Sequence, residues 1–445
     1  MSRTGLVAPK YTEDFVCIGS ACEDNCCRGW GVPVTRSAYE KFQTLPAGPL
    51  RTLIDASILL APKGAVESDG FGSERFAKIR MNESNACPIM SADGLCQIHA
   101  QVGPSFLSSV CATYPRVFRS VGGAEQNALA LSCPEAARMV LLNPLTWKQV
   151  EAATPASGDM YSEAAPDFSA LWAVRSVVLN VVSNRAYPLW QRLLQLGVLC
   201  ERLDALPADW AEGEVSKCLD EFDQTVAAGT LRVEMEALSL DPSAQLDAVL
   251  RLAGLMGKRS IITPRFVECL NSFKTGIGYG PTATNLEALT AGYKTAHDRF
   301  FAPFFERHPH ILENYLINTI LRCRFPFGPD ERNGDGVHSA TREFTTLIAH
   351  FSLMRGLLIG VAGAHRRDFS AAHVVQLVQS ASKHFDHHPE FPKLAHDLLV
   401  KLGMDGLNGA ALLIRNRKSE SRAVGRRRAS NVCLIPEMRF SAEHA

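Results

Sequence analysis

Four thiols lie within eleven residues near the start of the chain, in Cys17-Ile18-Gly19-Ser20-Ala21-Cys22-Glu23-Asp24-Asn25-Cys26-Cys27, ahead of Arg28-Gly29-Trp30. The glycine and small polar residues between them let the backbone turn sharply and aim N–H groups at sulfur, so the stretch is a chelating loop. Cys87 before Pro88, Cys96 after Asp93-Gly94-Leu95, Cys111 and Cys133 before Pro134 complete the early set. Thiolates favour zinc or an iron–sulfur cluster over magnesium or calcium, and spacing alone does not choose between the two. One site takes about four protein ligands. The candidates Cys17, Cys22, Cys26, Cys27, Cys87, Cys96, Cys111 and Cys133 therefore make two sites, or one site with outer thiols. Adjacent Cys26 and Cys27 point in different directions and are not expected to bind the same ion.

In a reducing compartment such a cluster binds metal or does redox chemistry rather than forming disulfides. The remaining cysteines, Cys200, Cys218, Cys269, Cys323 and Cys433, are widely spaced and are expected to be small core residues. His384, His387 and His388 form a tight histidine cluster, but it lacks the glutamate of His-Glu-x-x-His, and Pro389 would fray a helix there. Gly276-Ile277-Gly278-Tyr279-Gly280 follows a helical pattern rather than a strand. It is expected to end a helix, not to bind a dinucleotide-like cofactor.

These groups need a scaffold. Residues 1–140 are rich in Cys, Gly, Ser and Pro and carry few long apolar periodicities, which predicts an irregular, metal-supported module. From Pro134-Glu135 onward the pattern is helical. Apolar residues at i, i+3, i+4 spacing predict helices from Asp167 to Tyr187, over 189–203, 213–238, 244–258, 264–274, 283–306, 311–323, 340–362, 370–383 and 391–402. The expected fold is mainly α: a Cys-rich N-terminal module, a helical body over 141–410, and a basic, flexible tail over 411–445 holding Arg417, Lys418, Arg422 and Arg426-Arg427-Arg428. Trp172, Trp190, Phe300-Phe301 and Phe304-Phe305 fall at core positions.

The 46 basic and 46 acidic side chains cancel, so no global field draws the chain to nucleic acid or an anionic membrane. Residues 1–15 contain no apolar signal-peptide stretch, and no run approaches the roughly 18 apolar residues of a spanning helix, the nearest being Gly356–Ala364. A cytosolic protein is expected.

Phe15-Val16-Cys17, the Cys22–Trp30 block, Cys-Ala-Thr-Tyr-Pro-Arg at 111–116 and Leu-Ser-Cys-Pro-Glu-Ala-Ala-Arg at 131–138 together resemble the bacterial flagellin lysine N-methylases. The likeness continues through Arg185-Ala186-Tyr187-Pro188-Leu189-Trp190 and Glu313-Asn314-Tyr315-Leu316 to Phe325-Pro326-Phe327-Gly328, and covers the chain to about residue 410. The resemblance implies methyl transfer from S-adenosylmethionine to lysine ε-amines of flagellin, in a protein carrying an iron–sulfur cluster, [4Fe–4S] in type, on its cysteines. The Cys-x3-Cys-x2-Cys spacing of radical enzymes is absent, because position 29 is Gly29. A lysine must lose its proton before its nitrogen attacks the methyl, so the site must desolvate the amine or supply a base. Tyr114 would orient the amine and Arg116 would bind a carboxylate, or both would serve packing and a local ion pair. Glu23 and Asp24 would receive the lysine's charge, or remain solvated. The alternative from another class is a non-enzymatic zinc- or iron-binding helical interaction protein.

Overall fold

The computed structural model describes residues 6–61, 76–121, 124–143, 147–150, 168–207, 212–255, 263–280, 285–328 and 339–416. Helices dominate, and the longest, Ala340–His365, runs through the middle of the body. It is buried on nearly every side from Phe344 to Ala362, the mark of a helix that the fold surrounds. Its length and apolarity would suffice to cross a membrane, but 89% of its apolar window is buried inside the protein. Around it pack Leu189–Asp204, Pro242–Gly254, Pro264–Gly276, Leu286–Ala296, Ala371–Phe385, Phe391–Lys401 and Leu407–Ile414.

The tightest crossing is with Pro264–Gly276. A Cβ added to Gly276 would stand 1.7 Å from the carbonyl oxygen of Gly360, so only glycine admits this approach. The glycine-rich stretch thus ends a helix and seats it, as its position after a helical pattern predicts.

Two expected helices are interrupted. Gly229, at φ 72°, divides the 213–238 stretch into Glu212–Ala228 and Thr230–Ala237. The 283–306 stretch contains a π-turn, His297–Phe301, between Leu286–Ala296 and Ala302–Arg307. Pro303, just beyond, lacks the N–H that would continue the regular ladder.

The buried residues of the N-terminal third fall into two cores. Val32, Val34, Phe42, Ile54, Ile79, Ile89 and Ile98 form a small core of their own, with Cys27, Trp30, Cys96 and Cys111 packed on it. Tyr11, Phe15 and the segment from Ala128 to Leu141 belong instead to the core of the body. Tyr11 donates to Asn318 Oδ1 at 2.9 Å, and Asn318 Nδ2 donates to the Leu129 carbonyl at 2.8 Å, which ties both ends of that third to the His310–Arg322 helix. Strands here are short. Pro33–Val34, Ala77–Ile79 and Ile58–Leu60 make a three-stranded antiparallel sheet, Arg116–Val121 pairs with Ala124–Leu129, and Leu6–Pro9 pairs with Trp147–Val150.

The body also extends past its expected end at 410. Leu407–Ile414 is a helix with Ala410, Ala411, Leu413 and Ile414 buried. Arg415 donates to the Met235 and Leu238 carbonyls at 3.0 and 2.9 Å, with its guanidinium over the Trp190 ring. The basic stretch 417–445 lies outside the described residues. Cys200, Cys218 and Cys269 are buried and Cys323 is half-buried, as expected of core thiols, and Cys433 also lies outside the described residues.

Candidate active site at the cysteine loop

Short-range bonds shape the cysteine loop. The Gly19 N–H points at Cys17 Sγ (3.4 Å), and Asn25 Oδ1 accepts from the Cys27 N–H at 2.7 Å. Asn25 Nδ2 donates to the Gly94 carbonyl at 2.5 Å, joining the loop to the Asp93-Gly94-Leu95 turn before Cys96. The Cys87 N–H donates to the Cys27 carbonyl at 2.8 Å, and the Gly29 N–H to the Asn85 carbonyl at 3.0 Å. Gly29 and Gly94 sit at φ 87° and 76°, where a side chain would be strained.

The eight early cysteines are all free thiols. Cys26, Cys87 and Cys96 lie near Cys111: burial pushes Cys111 up to about 12, and the charges of Cys96, Cys26 and Cys87 act in the same direction. Cys133 is likewise raised to about 12 by burial, with Cys22 and Cys26 adding to it. Cys26 runs the other way, lowered by a hydrogen bond with Cys27 and by the Lys383 ammonium. The thiols are therefore neighbours, in two overlapping groups that share Cys26. Among the described residues, no three His, Cys, Asp or Glu side chains are placed to hold one metal ion as they stand. The donor set suits a thiophilic centre in type, while the sulfurs as placed do not close around one.

The loop docks on the body through its acidic residues. Asp24 accepts from Lys383 Nζ at 2.6 Å and from Gln379 Nε2 at 2.7 Å, both on the Ala371–Phe385 helix. Gln379 also donates to the Ser132 carbonyl at 2.9 Å, and Lys383 to the Asn25 carbonyl at 3.3 Å. Glu23 pairs with Arg138 at 2.6 Å and with Arg265 at 3.5 Å. Glu23 and Asp24 are thus anchors to the chain's own cations rather than solvated residues. Gly29 leaves room for Lys383, whose Cε lies 3.3 Å from where a Cβ would be.

At this junction Tyr114, Ser132 and His387 form a hydrogen-bonded chain. Ser132 Oγ lies 3.0 Å from the Tyr114 hydroxyl and 2.7 Å from His387 Nε2. Trp30 covers the chain, stacked on His387 at 5.5 Å and tilted against Tyr114 at 5.9 Å between ring centroids, while its indole N–H donates to the Cys26 carbonyl at 2.7 Å. Burial lowers the His387 pKa to about 4, and Arg322 and Lys383 push it the same way against Asp386, so the imidazole is neutral at pH 7. Burial raises Tyr114 well above its ordinary value and keeps it protonated.

Other sequence candidates separate. Arg116 donates to the Thr12 and Phe15 carbonyls at 3.3 and 2.9 Å, beneath which lies the Phe15 ring, so its guanidinium clamps the N-terminal segment instead of facing a substrate carboxylate. His384 packs on Phe266, while His387 faces Ser132. The helix ends at Phe385, so His384 and His388 share no helical face. Ser132, Gln379, Lys383 and the role of His387 escape sequence reading, because nothing local connects positions some 250 residues apart. Only the placement of Ser132 between Leu131 and Cys133 hints at a site.

Residues 175–413, more than half of the chain, match the FliB lysine N-methylase C-terminal domain. The chain belongs to the FliB lysine N-methylase family. It is similar to the lysine-N-methylase of Salmonella typhimurium, 21% identical over 414 residues that cover 89% of this chain and 95% of that protein. The lysine-N-methylase of Salmonella choleraesuis matches to the same extent. The flagellar biosynthetic protein FliU of Salmonella muenchen is 27% identical over 145 residues, 32% of this chain and 81% of its own length. No solved structure matches. The protein is thus a protein-lysine methyltransferase, as the early motifs imply, and the non-enzymatic reading is set aside. The Arg185 and Glu313 motifs that share in the resemblance are structural: Glu313 binds Arg192 at 2.7 Å and Arg185 at 2.8 Å.

Proposed function

We propose that this FliB-family methyltransferase transfers the methyl group of S-adenosylmethionine to lysine ε-amines of flagellin, inside the cell, at the junction of the cysteine loop and the Ala371–Phe385 helix. The observation that carries the reading is the Tyr114–Ser132–His387 chain, a hydrogen-bonded line from a protonated phenol to a neutral imidazole beside the free thiols. The flagellar names of the relatives support the substrate class. Cys26, Cys27, Cys87, Cys96 and Cys111, with Cys17, Cys22 and Cys133 beside them, supply thiolates for an iron–sulfur cluster, or for zinc. When bound, S-adenosylmethionine would supply an electrophilic methyl on sulfonium, and a thiolate-held metal centre would cross-link the cysteine loop.

The chain's own residues handle the amine. Trp30 and the buried face of Tyr114 exclude water, which lowers the pKa of an entering lysine by penalising its charged form. Desolvation drives the ammonium proton out to solvent as the lysine enters, and the Tyr114 oxygen then accepts a hydrogen bond from the neutral amine while Ser132 and the neutral His387 ring hold the Tyr114 hydroxyl in place, leaving the nitrogen lone pair free. Neutral Tyr114 holds that nitrogen in line for attack.

Mass spectrometry of flagellin incubated with the metal-loaded protein and S-adenosylmethionine tests the proposal. Methyl-lysine is expected, and flagellin left unmodified by fully loaded protein would refute it.

A further inference from the structure

A second feature lies on the far part of the same helical body. A groove of about 990 Å³ opens between the π-turn region and the end of the central helix, floored by Phe304 and Phe369 and rimmed by Arg299, Arg307, Arg366 and Arg367, with Asp368 as its lone acidic lining residue. All four arginines are exposed. In a chain whose charges cancel overall, this is a concentrated local positive field.

Two backbone features build it. The central helix ends at His365, and the next residue, Arg366, is a non-glycine at φ 52°, where the chain turns and leaves Arg366 and Arg367 exposed. Strain of this kind persists where the surrounding structure enforces it, and it clusters at binding sites. The π-turn His297–Phe301 carries Arg299 on the opposite wall, and π-turns are likewise frequent at functional positions.

The groove lies at the start of the Ala371–Phe385 helix, whose last turns hold the cysteine loop. His365 lines both it and a smaller adjoining cavity of about 220 Å³, which Glu268, His373 and Gln376 also line, with Glu268 accepting from Gln376 Nε2 at 3.1 Å. Gln376 lies on the Ala371–Phe385 helix one turn before Gln379, where Asp24 covers the helix. From His373 to Lys383 the helix rises roughly 15 Å, a distance that about five residues of extended peptide span.

We infer that this groove docks an acidic segment of the protein substrate, which places a lysine a few residues away at the cysteine loop. The inference rests on the proposed lysine methylation. Guanidinium forks pair with carboxylates in bidentate fashion, and the aromatic floor takes the apolar stems between them. Removing flanking carboxylates from the target lysine also withdraws the ion pairs that would hold its amine protonated.

The test uses the full chain and the double variant Arg366→Glu/Arg367→Glu. Because both side chains are exposed, the variant should keep the circular dichroism and melting temperature of the wild type. Fluorescence anisotropy with a labelled glutamate-rich decapeptide should show salt-sensitive binding to the wild type and at least a roughly tenfold loss in the variant. In methyl transfer to flagellin, KM should rise roughly tenfold with kcat little changed. Wild-type protein that ignores the peptide, a variant with unchanged KM, or a groove that prefers a single-stranded oligonucleotide to the peptide would each overturn the inference. Wild type that binds the peptide but methylates no lysine would instead count against the catalytic reading alone.

Discussion

Removing the Asp24 carboxylate should detach the cysteine loop from the body. Asp24 and Lys383 meet at 2.6 Å with side chains only 13% and 5% exposed, so Asp24→Ala leaves a buried ammonium without its counter-charge. That loss costs about 3–5 kcal/mol, and the abandoned Gln379 donor adds about 1 kcal/mol. Asp24→Ala/Lys383→Met removes both charges and should recover at least about 2 kcal/mol relative to the sum of the single changes. Urea unfolding of the four proteins gives the cycle, and hydrogen exchange over residues 19–31 locates the effect, with protection falling there first. Single variants that each cost under about 1 kcal/mol, and add without coupling, would show that the loop is held by something other than this pair.

Further outcomes follow from the same structure. Cys22→Ala or Cys96→Ala should lower the iron and sulfide content of anaerobically isolated protein and destabilise the N-terminal third, and unchanged metal content in either would remove that cysteine from the ligand set. Gly276→Ala should cost about 3 kcal/mol in denaturant unfolding, since the added methyl meets the Gly360 carbonyl and a backbone atom cannot swing aside. A fully stable variant would contradict the close helix crossing. His387 titrates near 6.5 unfolded but near 4 folded, so the unfolded state binds more protons between those values. Its contribution, up to about 3 kcal/mol, is present above pH 6.5 and is lost as the pH falls toward 4. His387→Gln should flatten that part of the stability–pH curve, and an unaltered slope would show that His387 is not buried as a neutral ring.

The helical body was legible because its apolar periodicity is strong: the stretches 189–203, 264–274 and 391–402 match helices almost to the residue. Boundaries failed where one residue overrides the pattern, as Gly229 does through its left-handed backbone and Pro303 through its missing N–H. Leu407–Ile414 went unread because so short an apolar run, rich in Ala and Leu, carries little periodicity and is stable only through its contacts with the body. The thiols were legible by clustering, and Tyr114 by its place after Cys111. The division of the N-terminal third between two cores was not, since Tyr11 and Leu129 reach Asn318 across the chain. The partnership of Tyr114 with Ser132 and His387 was equally hidden, because it depends on where the Ala371–Phe385 helix ends.

Presentation of a neutral lysine amine at this junction is the central step of the proposed reaction. Initial rates of methyl transfer from methyl-deuterated S-adenosylmethionine to flagellin, with wild type, Tyr114→Phe and His387→Gln matched for metal content, probe it most directly. Wild type should label lysine, and both variants should lose roughly 100-fold in kcat with KM for flagellin little changed. Equal rates in all three proteins would place the chemistry elsewhere in the molecule.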